Sequence, residues 1–219
     1  RAHASTEGVA HLIPGYAGTV TLGQATFLGH GAYTAGLKAK HIHPEPLTGL
    51  AADNTVRVVA ECAYSRTGEG LHRFTDPVDG SVYLYTQHEP RDAMRVFACF
   101  DQPDLKATFQ LTVTAPTAWQ VVSNSPTPEP QPVAAGVARL AFPPTARIST
   151  YITALVAGPY HSVRDEYVRA DGTTIPLGVF CRASLGRYLD PDEILEVTKQ
   201  GFAFFEEQYG RPYPFAKYD

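Results

Sequence analysis

Catalytic signatures are the first thing this chain lacks. None of its eight histidines opens a His-Glu-x-x-His, the spacing that sets two imidazoles one helical turn apart with a glutamate as base. His88-Glu89-Pro90-Arg91-Asp92 comes near, but its second ligand position is an aspartate and Pro90 would sit inside the helix that must align the ligands. His41-x-His43 has no third ligand nearby and reads as a loop pair. Gly-x-Ser-x-Gly, a phosphate-cradling GKS or GKT and a dinucleotide GxGxxG are also missing, which removes the central residues of serine hydrolase, phosphoryl-transfer and hydride-transfer chemistry. Gly29-x-Gly31 is a lone structural fragment. Asp101 and Asp104 flank the turn at Pro103 and read as capping or turn residues.

Cysteine is scarce as well. Cys62, Cys99 and Cys181 are odd in number, widely spaced and free of any CxxC, the usage of reduced thiols in a cytoplasmic protein rather than of a disulfide framework. Eighteen Lys and Arg against 22 Asp and Glu leave a net charge of −4 and a pI near 6.1. No basic run is present, so nucleic acid is not an expected partner. The start shows no charged region leading into a short apolar core and cleavage site, so no secretory leader is read there. Gly8 to Leu37 contains no Asp, Glu, Lys or Arg. That stretch is long enough to cross a bilayer but too rich in glycine for a single span, although small residues do suit close helix packing in a membrane bundle.

What is present divides into three regimes. Arg1 to Leu47 is the charge-poor segment, closed by the turn-prone His41-Ile42-His43-Pro44-Glu45-Pro46. Residues 48–182 read as short strands at Thr55–Ala63, Ser81–Thr86, Thr108–Ala115, Trp119–Ser123, Val137–Phe142, Tyr151–Ala157, His161–Val168 and Thr174–Cys181. Between them lie breakers such as Gly158-Pro159, Asp171-Gly172 and the proline-rich Ser125 to Pro132. Phe109, Leu111 and Val113 alternate with Gln110, Thr112 and Thr114, the period of a half-buried strand. The class is therefore mainly β, an antiparallel saddle or sandwich. From Asp190 the pattern turns helical: Asp190 caps, Pro191 takes the first position, Glu193 completes the capping pattern, and Gly210 and Pro212 stop the helix. Its expected buried face carries Ile194, Phe202, Phe205 and Tyr209, with Leu195 and Val197 beside them.

One block carries most of the functional information. Thr86-Gln87-His88-Glu89-Pro90, Asp92-Ala93, Arg95-x-Phe97, Cys99-Phe100-Asp101-x-Pro103 and Leu105 to Phe109 resemble the N-terminal domain of the M1-family zinc aminopeptidases, the aminopeptidase N group of actinobacterial type. Val121-Val122-Ser123-Asn124, Ile148 to Tyr151, Val156-Ala157-Gly158 and Tyr213-Pro214-Phe215-x-Lys217-Tyr218-Asp219 follow in the same order, so the likeness runs from about Thr48 to Asp219. It implies a β saddle at 48–182, then at 183–219 the first helix of an incomplete α/β thermolysin-like catalytic domain. It also implies hydrolysis of N-terminal residues from peptides, in the cytoplasm, by an enzyme that needs zinc. Glu89 matches the glutamate that receives the substrate α-amine, and Gln87 the glutamine lining the first side-chain pocket. A carboxylate facing a peptide ammonium forms a charge-assisted hydrogen bond, so the pair suits a peptide with a free N-terminus. His88, between them, points the other way if the segment is extended. Met94, Phe97, Phe100 and Phe109 are expected to pack.

The family's Gly-Ala-Met-Glu-Asn stretch and zinc helix belong after Asp219. No catalytic residue, metal ligand or bound zinc is therefore expected within these 219 residues, and the chain alone is expected to be inactive. Residues 1–47 depart from the family and look like a permease segment of branched-chain amino acid transporters. On that reading the join is foreign, and the saddle lacks its first strands and exposes an unpaired edge. A noncatalytic β binding module, or for residues 1–47 alone a membrane transport component, are the rival readings.

Overall fold

The computed structural model describes residues 5–11, 19–26 and 55–219, and side chains from Cys62 onward. Two compact units divide it: Arg1–Thr75 with Val82–Gly158, and Asp76–Ser81 with Pro159–Asp219. The boundary expected at Arg182 falls inside the second.

The first unit is built from two sheets. β1 (Ser5–His11), β2 (Thr19–Thr26), β3 (Thr55–Glu61), β6 (Thr108–Pro116), β8 (Gln131–Ala134) and β9 (Val137–Ala141) form one, in the order β3-β2-β1-β6-β9-β8. β4 (Gly70–Thr75), β5 (Val82–Gln87), β7 (Gln120–Ser123) and β10 (Leu155–Gly158) form the other, ordered β4-β5-β10-β7. Pairing is antiparallel except between β1 and β6. Leu71, Leu84, Val121, Leu155 and Ala157 from the smaller sheet meet Val113, Ala115 and Leu140 from the larger, and Phe142 just past the end of β9, in one buried cluster. Burial of such side chains stabilises by roughly 1.5–3 kcal/mol each.

β1 and β2 correct the reading of the first 47 residues. They occupy the places between β3 and β6 where a foreign segment and an unpaired edge were expected, and the permease likeness finds no support. Among the described residues no helix is long and apolar enough to cross a membrane. His41, His43 and the junction near Pro46 lie outside the described residues. Two further strands escaped the sequence reading. β4 starts at Gly70, two residues after Gly68, and β8 contains Pro132 within a run that reads as loop. β8 lies at the edge of its sheet, where a missing N–H breaks no central ladder.

The second unit pairs β11 (Tyr160–Val168) with β12 (Thr174–Arg182) and packs α1 (Pro191–Tyr209) on them. The helix is delimited as its sequence dictates: Asp190 accepts from the Glu193 N–H at 3.3 Å, Pro191 leads, and Gly210 ends it at φ 57°. Its buried face differs from the expected one. Leu195 and Phe202 go inward against Ile175 and Leu177, while Ile194, Val197, Phe205 and Tyr209 are exposed. Lys199 pairs with Asp165 at 2.6 Å and Glu206 with Arg169 at 3.1 Å, which aligns the stripe through 195, 199, 202 and 206 with the hairpin. Phe202 stacks on Tyr167 and meets Tyr213 and Tyr218 edge-on. Asp76, fully buried, accepts from Ser184 Oγ at 2.6 Å, Val78 N at 2.9 Å and Arg182 Nη1 at 3.0 Å. Gly178, in mid-β12, donates its N–H to Tyr218 O; a Cβ there would meet Asp219, lie 2.6 Å from Arg164 Nη1 and 2.8 Å from the Phe180 ring.

Candidate functional site

β5 delivers the candidate residues. It is hydrogen-bonded on both sides, by β4 with Gly70 opposite Gln87 and by β10 with Val156 opposite Tyr85. Period-two alternation runs past its end, so Gln87 and Glu89 are exposed while His88 between them is buried at 3% exposure. The inward turn of His88 is as the extended reading requires. Gln87 Nε2 reaches the Glu89 carbonyl at 3.5 Å, and the Glu89–Pro90 bond is cis. The Glu89 carboxylate makes no ion pair or hydrogen bond among the described residues.

The backbone of this segment is held by a polar brace assembled from three distant stretches. His88 Nδ1 lies 3.0 Å from Thr153 Oγ1, and Thr153 Oγ1 donates to the Thr150 carbonyl at 2.7 Å. Thr86 Oγ1 accepts from Leu155 N at 2.9 Å. Asn124 binds the same turn twice, donating from Nδ2 to Ile152 O and accepting from Ala154 N, both at 2.8 Å. Asp101 accepts from Thr150 Oγ1 at 2.6 Å and from Met94 N at 3.2 Å, tying in the segment that follows Glu89. Ser149 Oγ donates to Pro103 O at 2.5 Å and accepts from Lys106 Nζ at 2.7 Å. Asp92 and Glu69 both hold Arg95, at 2.6 and 3.1 Å.

Sequence reasoning placed Gln87, His88 and Glu89 correctly on alternating sides, and took Asp101 as a turn residue without its long-range partner. Thr86, Asn124, Thr150 and Thr153 received no role. The signal for Asn124 and Thr150 lay in the motif blocks Val121–Asn124 and Ile148–Tyr151, which are far from Thr86 in sequence and adjacent in space; Thr153 lies outside both blocks. Asp104 is exposed and does not pair with Asp101 as a dyad. Met94, Phe97, Phe100 and Phe109 are each half-buried; Phe97 packs on the core and edge-on to both Phe109 and His88, whereas Ala93 and Val96 are the fully covered side chains of that stretch.

Titration behaviour follows burial. Loss of hydration lowers His88 to about 4 from its ordinary 6.5, against the opposing pull of Asp101, the Thr153 and Thr150 carbonyls and Asp92. Burial likewise raises the Cys62, Cys99 and Cys181 thiols, so all three are neutral rather than nucleophilic. Among the described residues no three His, Cys, Asp or Glu side chains converge as metal ligands, and these residues do not fit a zinc site. A groove of about 720 Å³ in the second unit, lined by Phe205, Tyr209, Arg211, Tyr213 and Tyr218, contains none of the candidate residues.

Comparison with known proteins bears on the domain that holds these residues. Residues 54–152 match the Peptidase M1 N-terminal domain. Aminopeptidase N of Streptomyces lividans is 59% identical over 170 residues, covering 78% of this chain and 19% of that protein. Human glutamyl aminopeptidase is 29% identical over 185 residues, 80% of this chain and 18% of that protein. Aminopeptidase A of Legionella pneumophila, solved with aspartic acid, superposes with a TM-score of 0.79 at 16% identity over 97% of this chain and 27% of that one, which speaks for the fold. The chain spans about a fifth of the length of these two curated relatives. The braced Gln87–Glu89 segment thus lies within residues 54–152, a Peptidase M1 N-terminal domain.

Proposed function

We propose that this chain is the N-terminal part of a zinc-dependent aminopeptidase, and that Glu89 and Gln87 form its subsite for the substrate's free α-amine and first side chain. One observation carries the reading: an exposed carboxylate without a partner among the described residues, beside a glutamine on the same side of a segment whose middle residue is buried. A carboxylate so placed can accept hydrogen bonds from an ammonium without first surrendering any of its own, and it limits how far a peptide can enter. The zinc that such an enzyme needs would be held by residues outside the described set and would supply Lewis-acid chemistry there, while Glu89 and Gln87 supply substrate binding. Residues 183–219 would begin the catalytic domain, and three unpaired cysteines are compatible with a cytoplasmic setting.

The test uses the purified 219-residue chain, isotope-labelled, titrated with L-leucinamide and with N-acetyl-leucinamide, which lacks the ammonium. Leucinamide should shift the Gln87 and Glu89 signals and the acetylated compound should not. Glu89→Gln should weaken leucinamide binding roughly 10- to 100-fold, the equivalent of a charge-assisted hydrogen bond of about 1.5–3 kcal/mol. Equal responses to both compounds, or binding unchanged in the variant, would remove Glu89 from the role.

A further inference from the structure

We infer that His88 is the positioning residue of the Gln87–Glu89 pair, acting as a neutral imidazole that donates its Nδ1 proton to Thr153. The inference rests on the amine-subsite reading and adds to it the group that sets the subsite's geometry.

Proton counting assigns the tautomer. A threonine hydroxyl has one hydrogen, and that of Thr153 points at the Thr150 carbonyl 2.7 Å away. At its 3.0 Å contact with His88 Nδ1 the hydroxyl can then only accept, so the hydrogen belongs to Nδ1. Nε2 is buried with no hydrogen-bond partner among the described residues. A proton there would place an uncompensated N–H and a full positive charge in a desolvated site, which costs more than leaving a bare lone pair. The ring is therefore neutral, with Nδ1 protonated and Nε2 not. Phe97 lies edge-on to it at 5.8 Å, which holds the ring plane while Thr153 holds its rotation.

The consequence for the subsite follows from chain geometry. In an extended segment the direction of one side chain fixes those of its two neighbours. Seating His88 against Thr153 thus turns Gln87 and Glu89 outward together. Thr153 is itself bound to Thr150, Thr150 to Asp101, and Asp101 to Met94 N, so the clamp connects the residues before and after Glu89 through one turn. A neutral ring has a second effect: an imidazolium one residue from Glu89 would compete with the substrate ammonium for the same carboxylate.

The tautomer is read directly from long-range proton–nitrogen correlations of the labelled full chain, with the His88 signals assigned by their loss in His88→Asn. A protonated Nδ1 and bare Nε2 are expected; the opposite tautomer in the unmodified protein overturns the inference whatever the variants do. Three substitutions then separate positioning from filling space. Asparagine carries an amide N–H near the place of Nδ1, leucine only bulk, and Thr153→Val removes the acceptor while keeping its shape. His88→Leu should raise the leucinamide dissociation constant about tenfold and His88→Asn no more than about twofold, the range of one neutral hydrogen bond. Thr153→Val should displace the Gln87 and Glu89 amide signals. Equal losses in the asparagine and leucine variants would reduce His88 to a filler and overturn its role. Glu89→Gln should weaken the leucinamide response by the roughly 10- to 100-fold expected for it, the equivalent of one charge-assisted hydrogen bond, and leave the His88 ring signals in place. If leucinamide binds not even the unmodified chain, the amine reading fails, and the tautomer and the Thr153→Val displacement decide the role of His88.

Discussion

The two units of this chain are stabilised in different currencies of contact. The first closes two sheets over a mostly aliphatic core, Leu71, Leu84, Val113, Val121, Leu140 and Leu155 around Phe142. The second has a single hairpin and one helix, and its buried set of Ile175, Leu177, Leu195 and Phe202 is supplemented by tyrosine rings and by ion pairs at Asp76, Asp165 and Glu206. A two-layer sandwich covers the inner face of each sheet with the other. A hairpin under one helix cannot do so, and large rings and charge pairs at its margin stand in for a second layer. The lesson concerns function: the unit that carries Gln87 and Glu89 is the one with the deeper core, so the subsite proposed for them rests on paired strands rather than on the margin of a thin layer.

That contrast can be broken at its centre. Phe142→Ala should cost about 3–5 kcal/mol, with Phe202→Ala at the lower end of that range because its neighbours are partly exposed and can relax into the space. Amide hydrogen exchange should locate each loss, in β6 and β9 for the first and in β11, β12 and α1 for the second. Exchange that accelerates equally everywhere in both variants would erase the distinction. A smaller and pH-dependent effect is expected at Asp76. The Ser184 hydroxyl first, then the Val78 N–H and Arg182, hold its carboxyl below the ordinary 3.8. A depressed carboxyl stabilises the fold above its unfolded value and loses that contribution as pH falls through the folded one. Asp76→Asn should therefore flatten the acid side of the stability profile below about pH 4, measured by circular dichroism of the second unit's hairpin and helix together with the rest. An unchanged acid midpoint would show the buried carboxylate to be incidental. The smallest expected loss is Asp190→Ala, about 1 kcal/mol for one helix cap, confined to the first turn of α1 in exchange.

The sequence was legible where local physics decides. Alternation and glycine–proline punctuation located β5, β6, β7, β11 and β12 nearly to their ends, and cap chemistry located α1. β8 was hidden because Pro132 forbids a central strand but not an edge one, and edge position is a tertiary fact. The buried face of α1 was misassigned for a related reason: aromatic residues occupy two adjacent stripes of the helix, and only the hairpin beneath it, with Asp165 and Arg169 in place, selects the one through Leu195 and Phe202. At the site, the outward pair and the inward His88 were legible from period two. Thr153 was not, because 65 residues separate it from His88 and no local pattern announces such a partner.

Gly178 shows a different kind of sequence constraint. Its backbone angle is one that any residue adopts, so a conformational survey would pass over it. Yet the missing methyl is the space in which Asp219 and Arg164 meet, while Tyr218 exchanges backbone hydrogen bonds with the strand at Pro176 and Gly178. The absence of one carbon atom thus works as a recognition element, a socket that admits the segment ending in Asp219 in one register. Tolerance at this position is governed by occupancy: alanine, harmless to β12 as a strand, would evict its neighbour.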